Sequence, residues 1–221
     1  MSETGFGDFE FERRFYVETL PAVALDDPSP TLIVQNYFLS ADGYAIRVRL
    51  SAQGIRLKNL GHEDISEVLR EHASDFDFCA ITVKGPMNAG TRYEAERELD
   101  ISVGLNLLER GNNLIIKNRY SVWLDSDGWV IDVFGAHNFP LIVAEVERGG
   151  PVTDLAIPAF CVSEVTEDKR FSNEYLALTP FSQWAEEFGV QLGTTGPTFM
   201  QGMGTNTHSS PLGGPDPFPF G

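Results

Sequence analysis

Apolar and polar residues alternate with a period of two along much of the chain, and this pattern predicts β-strands. In the first such segment Phe9 and Phe11 take one phase, while Glu10 and Glu12 take the other. Turn-forming sequences such as Asp125-Ser126-Asp127-Gly128 separate the segments. Eight strands are predicted in this way, at residues 9–17, 31–39, 44–51, 78–85, 91–99, 113–123, 129–134 and 141–148.

Helical periodicity is confined to three segments. Helices are predicted over 62–73 and 100–110, and a third over 173–188 follows the capping pair Ser172-Asn173. Eight strands with few helices indicate a β-dominated α+β protein. The favoured architecture is a closed eight-stranded antiparallel β-barrel, forming a tunnel with helices packed outside, and a sandwich is the alternative.

The two ends of the chain differ in composition from its centre. Residues 1–8 are polar and predict a flexible leader, and 9–190 are predicted to form one domain. Residues 191–221 are rich in Gly, Pro, Ser and Thr. Because such a segment buries too little apolar area to offset its ordering entropy, a disordered tail is predicted there.

Composition narrows the class of protein further. The 221 residues include 32 acidic and 16 basic side chains, for a net charge of −16. Such a chain is not expected to bind nucleic acid or an anionic membrane through bulk charge. It has no apolar run long enough for a membrane span, and Met1-Ser2-Glu3-Thr4-Gly5 lacks the basic and apolar regions typical of a signal peptide, so a cytoplasmic protein is expected, as a monomer or homodimer. Cys79 and Cys161 are interpreted as reduced core residues rather than a disulfide or zinc site.

Charged residues take one phase of nearly every predicted strand. An antiparallel sheet with one solvated face is the simpler interpretation. Against it, Glu-x-Glu and Arg-x-Arg doublets recur on separate strands, and the opposite phase is strongly apolar and needs covering. Half of the 16 cations also belong to this set. They are Arg14, Arg47, Arg49, Lys84, Arg92, Lys117, Arg119 and Arg170.

A charged interior restricts the ligand. Cations that converge from several strands suit a polyanion with adjacent charges, because confined charges must pair with each other or with a ligand. Carboxylates in the same space would repel that polyanion unless a hard divalent cation lies between them. Mg²⁺ and Mn²⁺ prefer oxygen ligands and bridge carboxylates to phosphate oxygens. The pattern therefore predicts a chain of phosphates bound with Mg²⁺ or Mn²⁺.

The charged motifs also follow the order of a known family. Glu10-Phe11-Glu12-Arg13-Arg14 resembles the E-x-E-x-K signature of the CYTH domain, found in the triphosphate tunnel metalloenzymes. The likeness spans about residues 9–178. It continues through Arg47-Val48-Arg49, Thr82-Val83-Lys84-Gly85-Pro86, Arg92-Tyr93-Glu94-Ala95-Glu96, Lys117-Asn118-Arg119-Tyr120, Asp132-Val133-Phe134, Glu145-Val146-Glu147, Glu164-Val165-Thr166 and Arg170-Phe171-Ser172-Asn173.

The resemblance implies an eight-stranded antiparallel tunnel that binds triphosphate with a divalent metal. Activities in the family include inorganic, thiamine and RNA triphosphatase and class IV adenylate cyclase, and the fold alone does not choose among them. The acidic composition argues against RNA. Arg14 stands where the signature has lysine; it keeps the charge but is not equivalent, so triphosphate binding is expected to survive while the catalytic rate or the choice of phosphate attacked would be affected.

Roles for the charged residues follow as a hypothesis. Carboxylates two residues apart point to one face of a strand, so the first and last strands are expected to hold an ion, unless these doublets merely pair with interior arginines. The proposed metal ligands are Glu10, Glu12, Glu145 and Glu147. The eight cations are expected to hold phosphate oxygens, foremost Arg47, Arg49, Lys84 and Arg119, although each is alternatively an internal ion-pair partner. Candidates to orient or deprotonate the attacking water are Glu94, Glu96 and Asp132.

The leading hypothesis is a metal-dependent hydrolase of a triphosphate-containing small molecule, with inorganic triphosphate favoured. A class IV adenylate cyclase is the enzymatic alternative. A module that senses nucleotide or polyphosphate without turnover is the third hypothesis. Arg14 favours that last hypothesis, and the tail is interpreted either as a partner-docking segment or simply as a solvated end.

Overall fold

The computed structural model describes residues 9–58, 60–86 and 91–209, with the backbone alone for Phe9, Glu10 and Thr91. The predicted leader, 1–8, and the last part of the predicted tail, 210–221, lie outside these ranges. The strands are β1 (Phe9–Val17), β2 (Thr31–Ala41), β3 (Tyr44–Gln53), β4 (Phe78–Lys84), β5 (Thr91–Glu98), β6 (Leu114–Leu124), β7 (Asp127–Phe134), β8 (Ile142–Arg148), β9 (Ala156–Ile157), β10 (Cys161–Glu164) and β11 (Thr207–His208). The α-helices are α1 (Ile65–Glu71), α2 (Ile101–Leu108), α3 (Asn173–Leu178) and α4 (Ala185–Thr195).

Nine of the strands form one antiparallel sheet. Their order is β10-β1-β5-β4-β3-β2-β6-β7-β8, with an additional pairing between β1 and β8. Strand β1 is divided among three neighbours. It pairs with β5 through its first three residues, with β8 from Phe11 to Val17, and with β10 from Phe15 to Val17.

The prediction of a closed eight-stranded barrel is wrong. The structure has a nine-stranded sheet in which β10 pairs only with β1 among the described residues, and no sheet is closed into a barrel. Period-two alternation indicates which residues share a face. It does not indicate how one strand is divided among its neighbours, or that a short segment such as Cys161–Glu164 joins the sheet.

The predicted helices are confirmed in two places and corrected in the third. Helices α1 and α2 lie within the predicted 62–73 and 100–110. The predicted helix over 173–188 is instead α3, a 3₁₀ turn at Phe181–Gln183 and α4, which continues to Thr195. The interruption falls at Pro180, whose ring and missing N–H are incompatible with a helix interior.

Helix α2 covers the outer, apolar phase of β3 and β4. Asp100 caps it by accepting hydrogen bonds from the amides of Ser102 and Val103. At Gly104 a Cβ would lie 2.2 Å from Cys79 Sγ, so only glycine permits this close approach to the sheet. Cys79 and Cys161 are both free and buried, as predicted.

Disorder was predicted for residues 191–221, but residues 191–209 are ordered. Strand β11 pairs in parallel with β9, and Arg13 Nη1 donates to Asn206 Oδ1 at 2.9 Å. The amide of Met200 donates to Glu164 Oε2 at 2.8 Å. Polar contacts with a buried Arg13–Glu164 pair therefore hold a segment that has few apolar side chains to bury.

The described part of the chain contains no helix with the length and apolar composition that a membrane span requires.

Candidate functional site

One polar cavity of about 570 Å³ lies against the charged phase of the sheet. Every strand from β1 to β8 contributes lining residues, and α3 contributes two more. Its cations are Arg14, Arg47, Arg49, Lys84, Arg92, Lys117 and Arg119. Its carboxylates are Glu12, Glu94, Glu96, Glu145, Glu147 and Glu174. The structure thus brings together seven of the eight cations that were predicted as phosphate ligands.

One wall of the cavity is an ion-pair ladder across β3, β4 and β5. Arg47 and Glu96 both lie opposite Thr82 in the register. Arg49 Nη2 lies 3.1 Å from Glu96 Oε1, and Arg47 Nη2 lies 3.4 Å from Glu94 Oε1. Lys84 also pairs with Glu94. The predicted catalytic carboxylates Glu94 and Glu96 therefore lie in the cavity, in contact with predicted phosphate ligands.

The opposite wall is organised by Asp132, which is fully buried on β7. Lys117 Nζ lies 2.5 Å from Asp132 Oδ2. Arg119 donates to both carboxylate oxygens, from Nε and Nη2, at 2.7 Å each. Arg119 Nη2 also lies 3.1 Å from Glu145 Oε2. Asp132 therefore fixes two cations at the cavity surface.

These contacts shift the pKa values of Asp132 and Lys117. Burial alone would raise the pKa of Asp132, but the charges of Arg119 and Lys117 outweigh it and hold this pKa well below its usual range. Burial lowers the pKa of Lys117, against the opposing effect of Asp132. A carboxylate with so low a pKa is a weak proton acceptor near neutral pH.

Two cavity residues at the start of α3 were not predicted. Asn173 Oδ1 accepts from Lys117 Nζ at 3.1 Å, and Glu174 Oε1 lies 3.1 Å from Arg92 Nη1. Burial would raise the pKa of Glu174, but Arg92 outweighs it and lowers this pKa. The sequence signal was the capping residue Ser172, whose hydroxyl accepts from the Tyr175 amide, since a capped helix start fixes the residues that follow.

Arg14 lines the cavity with part of its guanidinium committed to the backbone. Its Nη1 and Nη2 donate to the carbonyl oxygens of Phe171 and Thr166, at 3.3 and 3.2 Å. Its Nε lies 3.4 Å from Glu12 Oε1. The arginine that replaces the signature lysine therefore ties β1 to the segment preceding α3. Lysine would have to make both contacts from one nitrogen, whereas the planar guanidinium makes them from two.

Carboxylates from β1 and β8 face each other across the strand pair. Glu12 is directly opposite Glu147, and Arg14 is opposite Glu145. Directly opposed residues in an antiparallel pair have Cβ atoms about 4.5–5.5 Å apart, and like charges there are destabilising. An oxygen-rich pair of this kind has the donor chemistry of an Mg²⁺ or Mn²⁺ site.

Three of the four predicted metal ligands, Glu12, Glu145 and Glu147, line the cavity. Within the described ranges, no three His, Cys, Asp or Glu side chains form a group that could hold an ion. The side chain of Glu10 lies outside the description. Oxygen donors of the kind a divalent ion prefers are present in the Glu12–Glu147 pair, with Glu145 as the neighbouring carboxylate on β8.

Arg170 is not part of the cavity, contrary to the prediction. Its Nη2 lies 2.7 Å from Asp168 Oδ2, and its guanidinium lies over the Trp184 ring at 5.2 Å from the ring centroid. The physical reason is its backbone. Arg170 belongs to a 3₁₀ turn, Lys169–Phe171, where the period-two alternation of a strand does not hold.

Comparison with known proteins adds an independent observation. No family model matches the chain. The inorganic triphosphatase of Acetivibrio thermocellus is 30% identical to it over 108 residues, which cover 48% of this chain and 69% of that protein. The chain belongs to the CYTH family of triphosphate tunnel metalloenzymes. The family resemblance inferred from the charged motifs is thus confirmed.

Two further relatives of this CYTH protein cover more of its length. The inorganic triphosphatase of Nitrosomonas europaea is 28% identical over 173 residues, which cover 77% of this chain and 97% of that protein. A solved structure of an inorganic triphosphatase has 27% identity and a TM-score of 0.50, and covers 77% of this chain and 95% of that one.

Proposed function

We propose that this protein is a divalent-metal-dependent triphosphatase that hydrolyses inorganic triphosphate. The observation that carries the proposal is the cavity of about 570 Å³ in which seven cations and six carboxylates meet. Two relatives named inorganic triphosphatase support the same reaction. A cytoplasmic location is also proposed, because Cys79 and Cys161 are free thiols, as expected in a reducing compartment.

The cations of both walls bind the phosphate oxygens in this proposal. Phosphoryl transfer depends mainly on positioning and on neutralisation of charge, with little covalent chemistry for the protein to perform. Arg119 and Lys117 are held in place by Asp132, so they need little reorganisation when substrate arrives. Arg49 Nε is buried and has no hydrogen-bond partner among the described residues, which leaves one donor for a phosphate oxygen.

The divalent ion is assigned to Glu12 and Glu147, with Glu145 beside them. When bound, Mg²⁺ or Mn²⁺ supplies charge neutralisation to phosphate oxygens and polarises the group under attack. The two opposed carboxylates would hold it at the β1–β8 side of the cavity. A cation there also relieves the repulsion between them.

The carboxylate that orients the attacking water is assigned to β5. Asp132 is engaged by two cations and has a lowered pKa, so we propose it as a positioning residue for Lys117 and Arg119. Glu94 and Glu96 both line the cavity and remain the candidates to receive a proton from water. Thr82 Oγ1 donates to Glu96 Oε2 at 2.8 Å and fixes the orientation of that carboxylate.

The proposal is tested by product analysis with purified protein. Inorganic triphosphate, thiamine triphosphate and ATP are each incubated with Mg²⁺ or Mn²⁺, and phosphate, pyrophosphate and cyclic AMP are measured. Release of phosphate from inorganic triphosphate, abolished by EDTA and restored by added metal, is the expected result. Cyclic AMP from ATP would show a cyclase instead, and tight binding without products would show a sensor.

A single substitution tests the assignment of the metal ligands. Glu147→Gln removes one of the opposed carboxylates, and we expect a loss of turnover of roughly 10²-fold, the scale of a single electrostatic group in an active site. Glu186→Gln, on the exposed face of α4, is the matched control and should leave turnover unchanged. Wild-type turnover of Glu147→Gln at limiting Mg²⁺ would contradict the assignment.

A further inference from the structure

The most exposed aromatic side chain of the described residues lies beside the cavity and has no role in triphosphate binding. Trp123, near the end of β6, is 75% exposed, whereas Trp129 and Trp184 are 1% and 6% exposed. An indole that is mostly exposed is costly to leave in water, since its large apolar surface remains unburied. Its position relative to the cavity therefore calls for an explanation.

Trp123 belongs to the cavity-facing phase of its strand. It lies four and six residues after Arg119 and Lys117, and side chains at even spacing share one face of a strand. Its register partner on β7 is Gly128, a cavity-lining residue. A Cβ on Gly128 would lie 3.2 Å from the Trp123 ring, which shows that the indole lies over the Gly128 backbone.

The row of register partners that begins with Trp123 and Gly128 continues across the sheet to the proposed metal ligands. Trp129 is opposite Val146, so Gly128 is followed on β8 by Glu147, which in turn is opposite Glu12 on β1. Gly128 and Glu147 line both the polar cavity and a neighbouring groove that includes Trp123. Because Gly128 has no side chain, the indole lies over its backbone, and no side chain of β7 stands between Trp123 and Glu147 in this row.

The polar cavity and the neighbouring groove differ in the charge of the residues that line them. The cavity contains seven cations, whereas the charged residues of the groove are Asp127, Glu147, Asp154 and Arg148. Arg148 is engaged by Asp127 through two contacts of 2.8 and 2.7 Å. Phosphates are therefore favoured in the cavity, and a neutral or cationic group is favoured in the groove. A cavity of about 570 Å³ is also in the size range of pockets that enclose whole organic ligands.

From these observations we infer that Trp123 is a specificity-determining residue that stacks on a flat heterocycle attached to the triphosphate. The inference rests on the proposed function, because the triphosphate must occupy the cation-lined cavity. The class of ligand is an organic triphosphate whose ring is neutral or cationic. Inorganic triphosphate would fill the cavity alone and leave the indole exposed.

Competition kinetics test the inference with ATP as the probe. ATP is measured as an inhibitor of inorganic triphosphate hydrolysis in the wild type, Trp123→Ala and Trp123→Phe. Trp123→Ala should raise the inhibition constant of ATP about tenfold, which is within the range for loss of one base–aromatic stack, while Trp123→Phe should retain most of the affinity for ATP. The KM for inorganic triphosphate should stay within about twofold of wild type in both variants, because that ligand does not reach the ring.

Fluorescence gives a readout independent of activity. Acrylamide should quench mainly Trp123, because Trp129 and Trp184 are buried. Saturating ATP should protect the emission from acrylamide, and saturating inorganic triphosphate should not. Equal protection by both ligands, no protection by ATP, or equal losses of affinity for both ligands in Trp123→Ala would overturn the inference. Failure of the proposed function is recognised separately, as absence of phosphate release from inorganic triphosphate by the wild type, and it would overturn this inference as well.

Discussion

Replacing Asp132 by asparagine should destabilise the protein far more than a conservative change normally does. The carboxylate is 1% exposed, and three contacts of 2.5 to 2.7 Å join it to Lys117 and Arg119. Asparagine keeps the shape but removes the charge and places an N–H₂ group near two cations. Removing one partner of a buried ion pair costs about 3–5 kcal/mol, because the other charge is left uncompensated.

The contacts that Lys117 and Arg119 keep in Asp132→Asn place the expected loss of stability near the lower end of this 3–5 kcal/mol range. Arg119 keeps Glu145 as a charged partner at 3.1 Å, whereas Lys117 keeps a hydrogen bond to the neutral side chain of Asn173. We therefore expect a decrease of about 3 kcal/mol in the free energy of unfolding. For a urea m value of about 2 kcal/mol/M, the midpoint would fall by roughly 1.5 M.

Asp127→Asn is the matched control. Asp127 also makes a two-contact pair with an arginine, Arg148, but it faces a single cation that is 28% exposed. Its replacement should cost about 1 kcal/mol, as for partly exposed pairs. The reasoning is refuted if Asp132→Asn costs no more than Asp127→Asn in urea denaturation at neutral pH.

The pH dependence of the same variant gives a second check. The pKa of Asp132 is lowered in the folded protein, so its stabilising contribution is present above the unfolded pKa of about 3.9. It is lost as the pH falls from about 5 through the folded pKa. Wild-type stability should therefore decline in acid more steeply than that of Asp132→Asn, and parallel profiles would contradict the assigned charge state.

Two further substitutions separate the cavity from its surroundings. Arg170→Ala should lower the free energy of unfolding by about 1 kcal/mol, because the Asp168 pair and the Trp184 contact are lost. The KM for inorganic triphosphate should stay within about twofold of wild type. A tenfold rise in that KM would show that Arg170 binds substrate after all. Arg13→Met, which leaves Glu164 buried without its partner, should lower the free energy of unfolding by about 3–5 kcal/mol while kcat at permissive temperature is retained. Urea denaturation and steady-state kinetics measure both.

The sequence predicted the charged face well because strand parity is a local property. Lys117 and Arg119 share a phase, and so do Glu145 and Glu147, and all four line the cavity. The same parity does not extend to Arg170, which lies in a 3₁₀ turn, or to Glu174, which enters from a helix. Their placement depends on tertiary packing of the segment after β10.

The closed barrel, and the disorder predicted for the described residues 191–209, were wrong for a related reason. Both depend on contacts between residues far apart in the chain. How β1 is divided among three neighbours follows from the approach of Cys161–Glu164. The order of 196–209 follows from long-range polar contacts such as that of Asn206 with Arg13. Composition measures apolar content, so it underestimates segments held mainly by polar contacts.

The near balance of cations and carboxylates in the cavity makes ligand binding an exchange of partners. Arg119 is engaged by Glu145, and Arg14 by Glu12, before any ligand arrives. A phosphate that takes over Arg119 releases a carboxylate on the side where the divalent ion is proposed to bind. We therefore expect substrate and metal each to increase the other's affinity by the same factor, as reciprocal linkage requires.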